Sequence, residues 1–403
     1  MTLSQQILVS LLNSAIRNSE IDNIPNNVDW LEIFQLADKH QIMSLIYPMI
    51  RRLPDECVDP ALVCSWRNFA LKDVIDNSIY KNDTLEIITA LNQANIPTIL
   101  LKGIVIGNLY PNPDQRVMSD ADILIMEQYK DKAIKILKDL GYNEDGSIFK
   151  HTVLSRVDHL TVEIHTKLLD EWLENRTSEW ENSVWDNTIE VLFDNVPVRT
   201  LSVKDHLIFL YFHMVEHLVS SGFGLRQLCD LVLFIEHSRD IINWVDIFAI
   251  MKEHRMDKFM GIINLICRSI FSLEAPVQET VLSLDTDMVE CLTDEIVSGG
   301  VFGRNEFEDF VSAKYLDFIN KNNNTRMPSK GKRLLHLMFP PYSQIRFKYT
   351  YVNKAPFLLP VAWIHRFFAN LFTLLRIDTI VAIKRSHKVY ENRYQLLKWL
   401  DLI

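Results

Sequence analysis

Apolar residues recur at three- and four-residue intervals through the first 80 positions, in QQILVSLLNSAI, WLEIFQLADKHQIMSLIYPMI and ALVCSWRNFALKDVI, and this spacing predicts helices. The rhythm then changes. TLEIITALNQANI keeps the helical period, whereas Pro97 opens a short apolar run, PTILLKG, that reads as a strand. GIVIGNLY fits one or two helical turns, Pro111 and Pro113 force a loop, and SDADILIM reads as a second strand. In QYKDKAIKILKDLGY, Tyr129, Ala133, Ile136, Leu137 and Leu140 share one helical face, and Gly141 takes the C-terminal cap position. HLTVEIH alternates Leu160, Val162 and Ile164 against Thr161, Glu163 and His165, the two-residue period of a strand. Helix, strand, helix, strand, helix, strand thus follow one another over roughly residues 84–166, a compact α/β unit.

Beyond a Trp-rich loop, IEVLFDNVPVRTLS has the form of a β-hairpin. Ser202 and Asp205 form a capping-box pattern that opens a helix at VKDHLIFLYFHMVEHLV. Helical patterning continues to about residue 320, where NKNNNTRMPSKGK is a polar, basic linker into an aromatic segment that is helical in parts. The expected organisation is an N-terminal helical region over 1–82, a core over 83–200, a helical domain over 201–320 and a basic aromatic helical region over 321–403.

Composition adds limits rather than detail. A chain of 403 residues with 48% hydrophobic and 23% charged content is long enough for two or three cores and is not a disordered one. Its five cysteines are an odd number without a C-x-x-C pair, the usage of reduced thiols in a cytoplasmic protein. MTLSQQILVSLLNSAIRNSEID has no basic stretch before its apolar residues and does not read as a signal peptide. The net charge of −10 is unevenly spread. From Arg326 to Ile403, 14 Lys or Arg face three acids, a net +11 that leaves −21 for the remainder. Such a tail suits an anionic partner: a membrane surface, a nucleic acid or the acidic body of the protein itself.

The candidate chemistry lies on the two strands. Residues i and i+2 of a strand share a face, so Asp120 and Asp122 set two carboxylates side by side. Their repulsion raises one pKa unless a cation neutralises the pair, and oxygen ligands suit Mg2+ or Mn2+. Glu163, on the alternating strand, could complete a site for a second ion and so support an in-line displacement at phosphorus. With 52 acids in 403 residues, an acid-x-acid triplet arises by chance at roughly seven places, so the surrounding pattern must carry the assignment.

That pattern is LLKGIVIGNLYPNPDQRVMSDADILI followed by VEIH, and it resembles the uncharacterised bacterial nucleotidyltransferase group of the polymerase β superfamily. H-x-x-x-H followed by LRQLCDL and, more loosely, FPPYSQIRFKYTYVNKAPFLLPVAWIHR are similar to later segments of that group. The resemblance implies a small mixed α+β sheet flanked by helices. It also implies metal-dependent transfer of a nucleoside monophosphate from an NTP to an acceptor, with Asp120, Asp122 and Glu163 as metal ligands. Lys102-Gly103 replaces the superfamily's usual Gly-Ser or Gly-Gly phosphate turn. Gly103 is still expected at the phosphates, with Lys102 as a point charge and Arg116 as a forked donor. Ser119 is a further candidate, its side chain expected to face away from Asp120 if the strand has already begun there. His217, Arg226 and Asp230 are secondary candidates for nucleotide or acceptor contact, because in the resembling group this region lies against the catalytic face.

Other readings compete. His213, Glu216 and His217 match H-x-x-E-H, the inverted zinc-protease motif, but no third ligand is evident and packing histidines are the default. Arg226 and Asp230, four apart on a helix, are expected to form an ion pair. PFLLPVAWIHRFFANLFTLL would bury Arg366 near the centre of a membrane span at about 2.5–3.5 kcal/mol, which argues against spanning. An interfacial helix, with Trp363, Phe367, Phe368 and Phe372 at the boundary and Arg366, Arg376, Lys384 and Arg385 at headgroups, or a packed core or partner face, remain. No RNP or zinc-knuckle pattern supports RNA binding. The rival to catalysis is a non-catalytic relative that uses its tail as a membrane or partner adaptor. Neither the acceptor, whether small molecule, peptide or protein, nor the base of the NTP is encoded in a readable motif.

Overall fold

A computed structural model describes residues 1–301, apart from 22, 23, 26, 148, 149, 221 and 285, together with 339, 342, 349, 351–365 and 394–402. The chain divides into a larger unit, Met1–Leu218 with Gly222–Arg304, and a smaller one, Val219–Ser221 with Asn305–Ile403.

The larger unit begins with α1 (Leu3–Arg17), α2 (Trp30–Lys39), α3 (Met43–Ile50) and α4 (Pro60–Gln93). Thr2 and Gln5 cap α1 reciprocally, each side chain bonding the other's backbone N–H. Asp59 caps α4 with Pro60 in the first turn, where a missing N–H costs nothing. The two helices expected around residues 61–75 and 84–96 are one, and α4 runs unbroken through the boundary placed at 82/83. Its buried residues change along its length, from Trp66 and Ala70 to Thr84, Leu85, Ile87, Ile88 and Leu91.

A five-stranded sheet follows, built from β1 (Thr98–Leu101), β2 (Asp120–Ile125), β3 (Asn143–Ser147), β4 (His151–Ser155) and β5 (Thr161–His165) in the order β1-β2-β5-β4-β3. Only β2 and β5 run parallel; the other pairs are antiparallel. The three anticipated strands are β1, β2 and β5. The hairpin β3-β4 is an addition that sequence patterning did not reveal. Short helix α5 (Gly103–Gly107) joins β1 towards β2, and α6 (Lys130–Asp139) joins β2 to β3. Gly141 (φ 91) ends α6 as expected, its N–H bonded to Lys138 O. One face of the sheet carries Leu100, Ile123, Ile125, Val162, Ile164 and Leu154, which pack with α4 and α6 residues including Leu91, Ala133 and Leu137. Burial of that face fixes the register, because a slip by one residue would turn every apolar side chain outwards. The opposite face carries the acids.

After α7 (Glu171–Ser183), the expected hairpin is β6 (Ile189–Phe193) with β7 (Val196–Thr200), tied to β1 through Thr200 Oγ1 donating to Leu100 O at 2.8 Å. Helix α8 (Val203–Ser220) opens on the expected cap: Asp205 N–H donates to Ser202 Oγ at 3.2 Å and Ser202 Oγ–H to Asp205 Oδ2 at 2.7 Å. Helices α9 (Leu225–Ser238), α10 (Trp244–Glu253), α11 (Asp257–Phe271), α12 (Glu279–Leu282) and α13 (Thr286–Gly299) complete the unit. The fold is therefore mixed α+β.

In the smaller unit, Tyr349, Val352 and Ala362 form a core with Tyr342, Tyr351, Leu359 and Trp363, around a helical turn at Tyr351–Lys354. Among the described residues no helix is long and apolar enough to cross a membrane. The linker at 320–332 and Arg366, Phe367, Phe368, Phe372, Arg376, Lys384 and Arg385 lie outside the described residues.

Candidate active site

Parallel pairing sets Asp122 of β2 directly beside Glu163 of β5, with Asp120 one pleat earlier on the same face. One oxygen from each of Asp120, Asp122 and Glu163 lies within 4.8 Å of the others. The sequence expectation that two neighbouring strands would converge these carboxylates therefore corresponds to the geometry. The donor set fits a hard divalent cation, because carboxylate oxygens are the donors such ions take.

The two aspartates differ in charge environment. Burial, reinforced by the Asp122 charge, raises the Asp120 pKa. Burial acts in the same direction on Asp122, but the Lys102 ammonium and the His165 hydrogen bond outweigh it and hold that carboxyl well below its usual range. Glu163 is also lowered, burial being overcome chiefly by its hydrogen bond with His165.

Lys102 immediately follows β1, and Leu101 is the β1 partner of Asp122, so the strand delivers the lysine to the acids. Its Nζ lies 2.9 Å from Asp122 Oδ2 and 2.8 Å from His213 Nε2 on α8. His217 Nε2 lies 3.1 Å from His213 Nε2. Burial and then the Lys102 charge lower both imidazole pKa values, that of His217 to about 3. Lys102 takes φ 41 and ψ −128, a backbone region unusual for a side-chain-bearing residue, and Gly103 follows with φ 47. Space for a Cβ exists at Gly103, so its conformation rather than crowding calls for glycine.

Arg116 and Asp230 are buried and engaged with each other. Arg116 Nε donates to Asp230 Oδ1 at 2.8 Å and a terminal guanidinium nitrogen donates to Oδ2 at 2.7 Å, while Tyr110 O–H donates to Oδ1 at 2.7 Å. This corrects the expected Arg226–Asp230 pair: the guanidinium of Arg116, 114 residues away in sequence, takes both carboxylate oxygens in a fork that a helical neighbour does not match. Arg226 instead donates to Val117 O at 3.2 Å and to the Gln41 side chain. Asn77 of α4 adds a third hold on the same loop, donating to Asp114 O and Arg116 O and accepting from Met118 N–H. Ser44 Oγ–H donates to Gln115 O at 2.8 Å. The segment before β2 is thus pinned by α3, α4 and α9, which fixes where Asp120 begins.

For Ser119 the condition on its expected orientation is not met. β2 starts at Asp120, so strand alternation does not yet govern residue 119, and Ser119 Oγ–H donates to Asp120 Oδ1 at 3.1 Å. The H-x-x-E-H residues do not converge on a metal geometry. Glu216 accepts from Lys150 Nζ at 2.8 Å and from Asp170 N–H, and neither group of potential metal ligands among the described residues includes His213, Glu216 or His217. Sequence reasoning missed His151 and His165 beside the acids, and Asn77 behind the loop. The two-residue spacing of Glu163 and His165 was the signal available for one of them.

The family model described as uncharacterised nucleotidyltransferase matches residues 26–272, more than half the chain, and the chain belongs to that family. Two solved structures overlap with it in part. The antibiotic-resistance factor ANT(2'')-Ia is 13% identical, with 43% of this chain and 90% of that one covered at a TM-score of 0.32. An antigenic nucleotidyltransferase-like protein from Paracoccidioides brasiliensis is 14% identical, with 51% and 98% covered at a TM-score of 0.35. No curated protein matches.

Proposed function

We propose that this chain transfers a nucleoside monophosphate from an NTP to a hydroxyl or phosphate acceptor. The acceptor oxygen forms a bond to the α-phosphorus, the bond from that phosphorus to the β-phosphate bridging oxygen breaks, and pyrophosphate leaves. The observation that carries the reading is the convergence of Asp120, Asp122 and Glu163 on adjacent in-register strands within a nucleotidyltransferase-family chain. A divalent ion, Mg2+ or Mn2+, held by these acids would neutralise charge on the phosphates and on the attacking and leaving oxygens.

The protein's own groups divide the remaining tasks. Lys102 supplies a positive charge beside Asp122, and the turn at Lys102-Gly103 allows close backbone approach by a phosphate. Ser119, Arg226 and His217 are proposed to contact the nucleotide or acceptor. Arg116 and Asp230, bonded to each other, are proposed to hold the loop that aims Asp120 rather than to touch the nucleotide.

A thermal-shift panel with ATP, CTP, GTP and UTP, each with Mg2+ or Mn2+, tests the reading. At least one pair should stabilise the protein, and Asp122→Ala should abolish the effect. With the preferred donor, Asp120→Asn or Asp122→Asn should slow pyrophosphate release by at least about 10²-fold, near 3 kcal/mol of barrier. An unchanged rate in either variant contradicts the proposal.

A further inference from the structure

The acidic motif does not account for His165. It follows Glu163 by two residues on β5, so both side chains leave the acidic face of the sheet. The register sets Glu163 beside Asp122 and His165 beside Leu124, one pleat further along β2, which brings the imidazole next to both carboxylates. Its side chain is 5% exposed, and Nε2 lies 3.0 Å from Asp122 Oδ1 and 3.2 Å from Glu163 Oε2. An ionised carboxylate only accepts, so Nε2 carries a proton and shares it between the two acids. Nδ1 is buried and has no hydrogen-bond partner among the described residues, so the hydrogen bonding of this ring is directed at the acids alone. His151, opposite His165 in the β4–β5 register, backs the ring with its own, 4.8 Å between centroids.

Carboxylates on paired strand positions repel each other, and each can turn about its own side-chain bonds unless a neighbour holds it. A donor shared between them opposes both tendencies. Carboxylates that ligate metals are commonly held by such partners, which do not touch the ion themselves. Resting on the metal-site reading above, we infer that His165 is a positioning residue, whose Nε2–H holds the Asp122 and Glu163 carboxylates in the arrangement that receives a divalent ion. The imidazole itself stays outside the coordination shell, because Nε2 turns its proton, not a lone pair, towards the acids.

The experiment measures Mn2+ affinity of the full chain, without nucleotide, in wild type and two variants that differ only in reach. A glutamine amide places an N–H where Nε2 stands, whereas the shorter asparagine amide stops near the Nδ1 position and leaves the acids unheld. His165→Gln should bind Mn2+ within about 3-fold of wild type, and His165→Asn at least about 10-fold more weakly. A role confined to packing would not separate two amides in this order. His165→Asn binding as wild type does, or His165→Gln binding as weakly as His165→Asn, overturns the inference and leaves the metal site standing. If neither variant folds, wild-type crystals soaked with Mn2+ decide: Nε2 should remain within hydrogen-bond distance of a carboxylate oxygen of Asp122 or Glu163 and out of contact with the ion. An ion bonded to Nε2, or a ring turned away from both acids, overturns the inference. An absence of any Mn2+ binding that Asp122→Ala removes overturns the metal-site reading as well.

Discussion

Lys102 Nζ stands 2.9 Å from Asp122 Oδ2, with side chains only 15% and 6% exposed, so the protein carries its own countercharge inside the acidic cluster. Removing one member of such a pair strands the other in a poorly solvated place. Lys102→Met keeps the strained backbone position while deleting the charge, and it should lower stability without divalent ions by about 3–5 kcal/mol. Added Mn2+ should then raise the unfolding midpoint of the variant by more than it raises that of wild type, because the ion replaces the missing charge. Equal metal-induced gains in the two proteins would contradict this role.

Arg116 and Asp230 form a buried two-bond fork that also receives the Tyr110 hydroxyl. Asp230→Asn and Arg116→Lys should each lose stability, the latter because an ammonium cannot present two parallel donors. Arg116→Met, which leaves Asp230 buried and uncompensated, should cost about 3–5 kcal/mol in denaturant unfolding. Coupling in a double-mutant cycle should exceed about 1 kcal/mol, and additive effects would show that the fork does not act as a unit.

His40 links two helices in one protonation state. Leu225 N–H donates to its Nδ1 at 3.1 Å, so Nε2 carries the proton and donates to Val297 O at 2.9 Å. Burial, opposed by the Val297 carbonyl and aided by the Lys39 charge, lowers its pKa from 6.5 to about 4. Because the folded pKa is depressed, this contribution to stability is complete above about pH 6.5 and lost as pH falls from there towards 4, where the unfolded chain takes up a proton that the folded one refuses. Nuclear magnetic resonance at pH 5.5 should find the neutral Nε2–H tautomer in the folded protein. A His40 midpoint near 6.5 would contradict the assignment.

Gly224 lies against the same imidazole. A Cβ there would come within 2.4 Å of His40 Nδ1 and 2.8 Å of the Gly300 backbone carbon, whereas a Cβ on Gly146 would meet nothing within 4 Å. Overpacking of this kind typically costs about 1–3 kcal/mol, and backbone on one side leaves little room to relax. Gly224→Ala should therefore lower the unfolding midpoint clearly while Gly146→Ala leaves it nearly unchanged. Similar midpoints for the two variants would show that the α9 entrance yields easily.

What the chain's patterning made legible follows physical rules of short range. The alternation Leu160, Val162, Ile164 against Thr161, Glu163, His165 identified β5, and the apolar tail after Asp122 identified β2, because each strand buries one face on α4 and α6. The Ser202–Asp205 cap and the Gly141 stop were visible for the same local reason. β3 was not, since Asn143-Glu-Asp-Gly-Ser at the sheet edge has no apolar face to alternate. The continuity of α4 was hidden because its contacts change along its length, so no single apolar stripe runs through it. The clustering of Asp120, Asp122 and Glu163 was readable from spacing and family pattern. The Arg116–Asp230 fork, the Asn77 clamp and the approach of Lys102 to His213 join distant parts of the chain, and no local pattern encodes them.

The central claim is that Asp120, Asp122 and Glu163 grip the same metal at a bound triphosphate. Crystals grown with Mn2+ and a non-hydrolysable analogue of the preferred NTP, measured for anomalous scattering, test it most directly. The account predicts a manganese peak in contact with carboxylate oxygens of all three residues and with the triphosphate. A bound triphosphate with no peak at these carboxylates at saturating Mn2+, or a peak that leaves Glu163 uncoordinated, would contradict it.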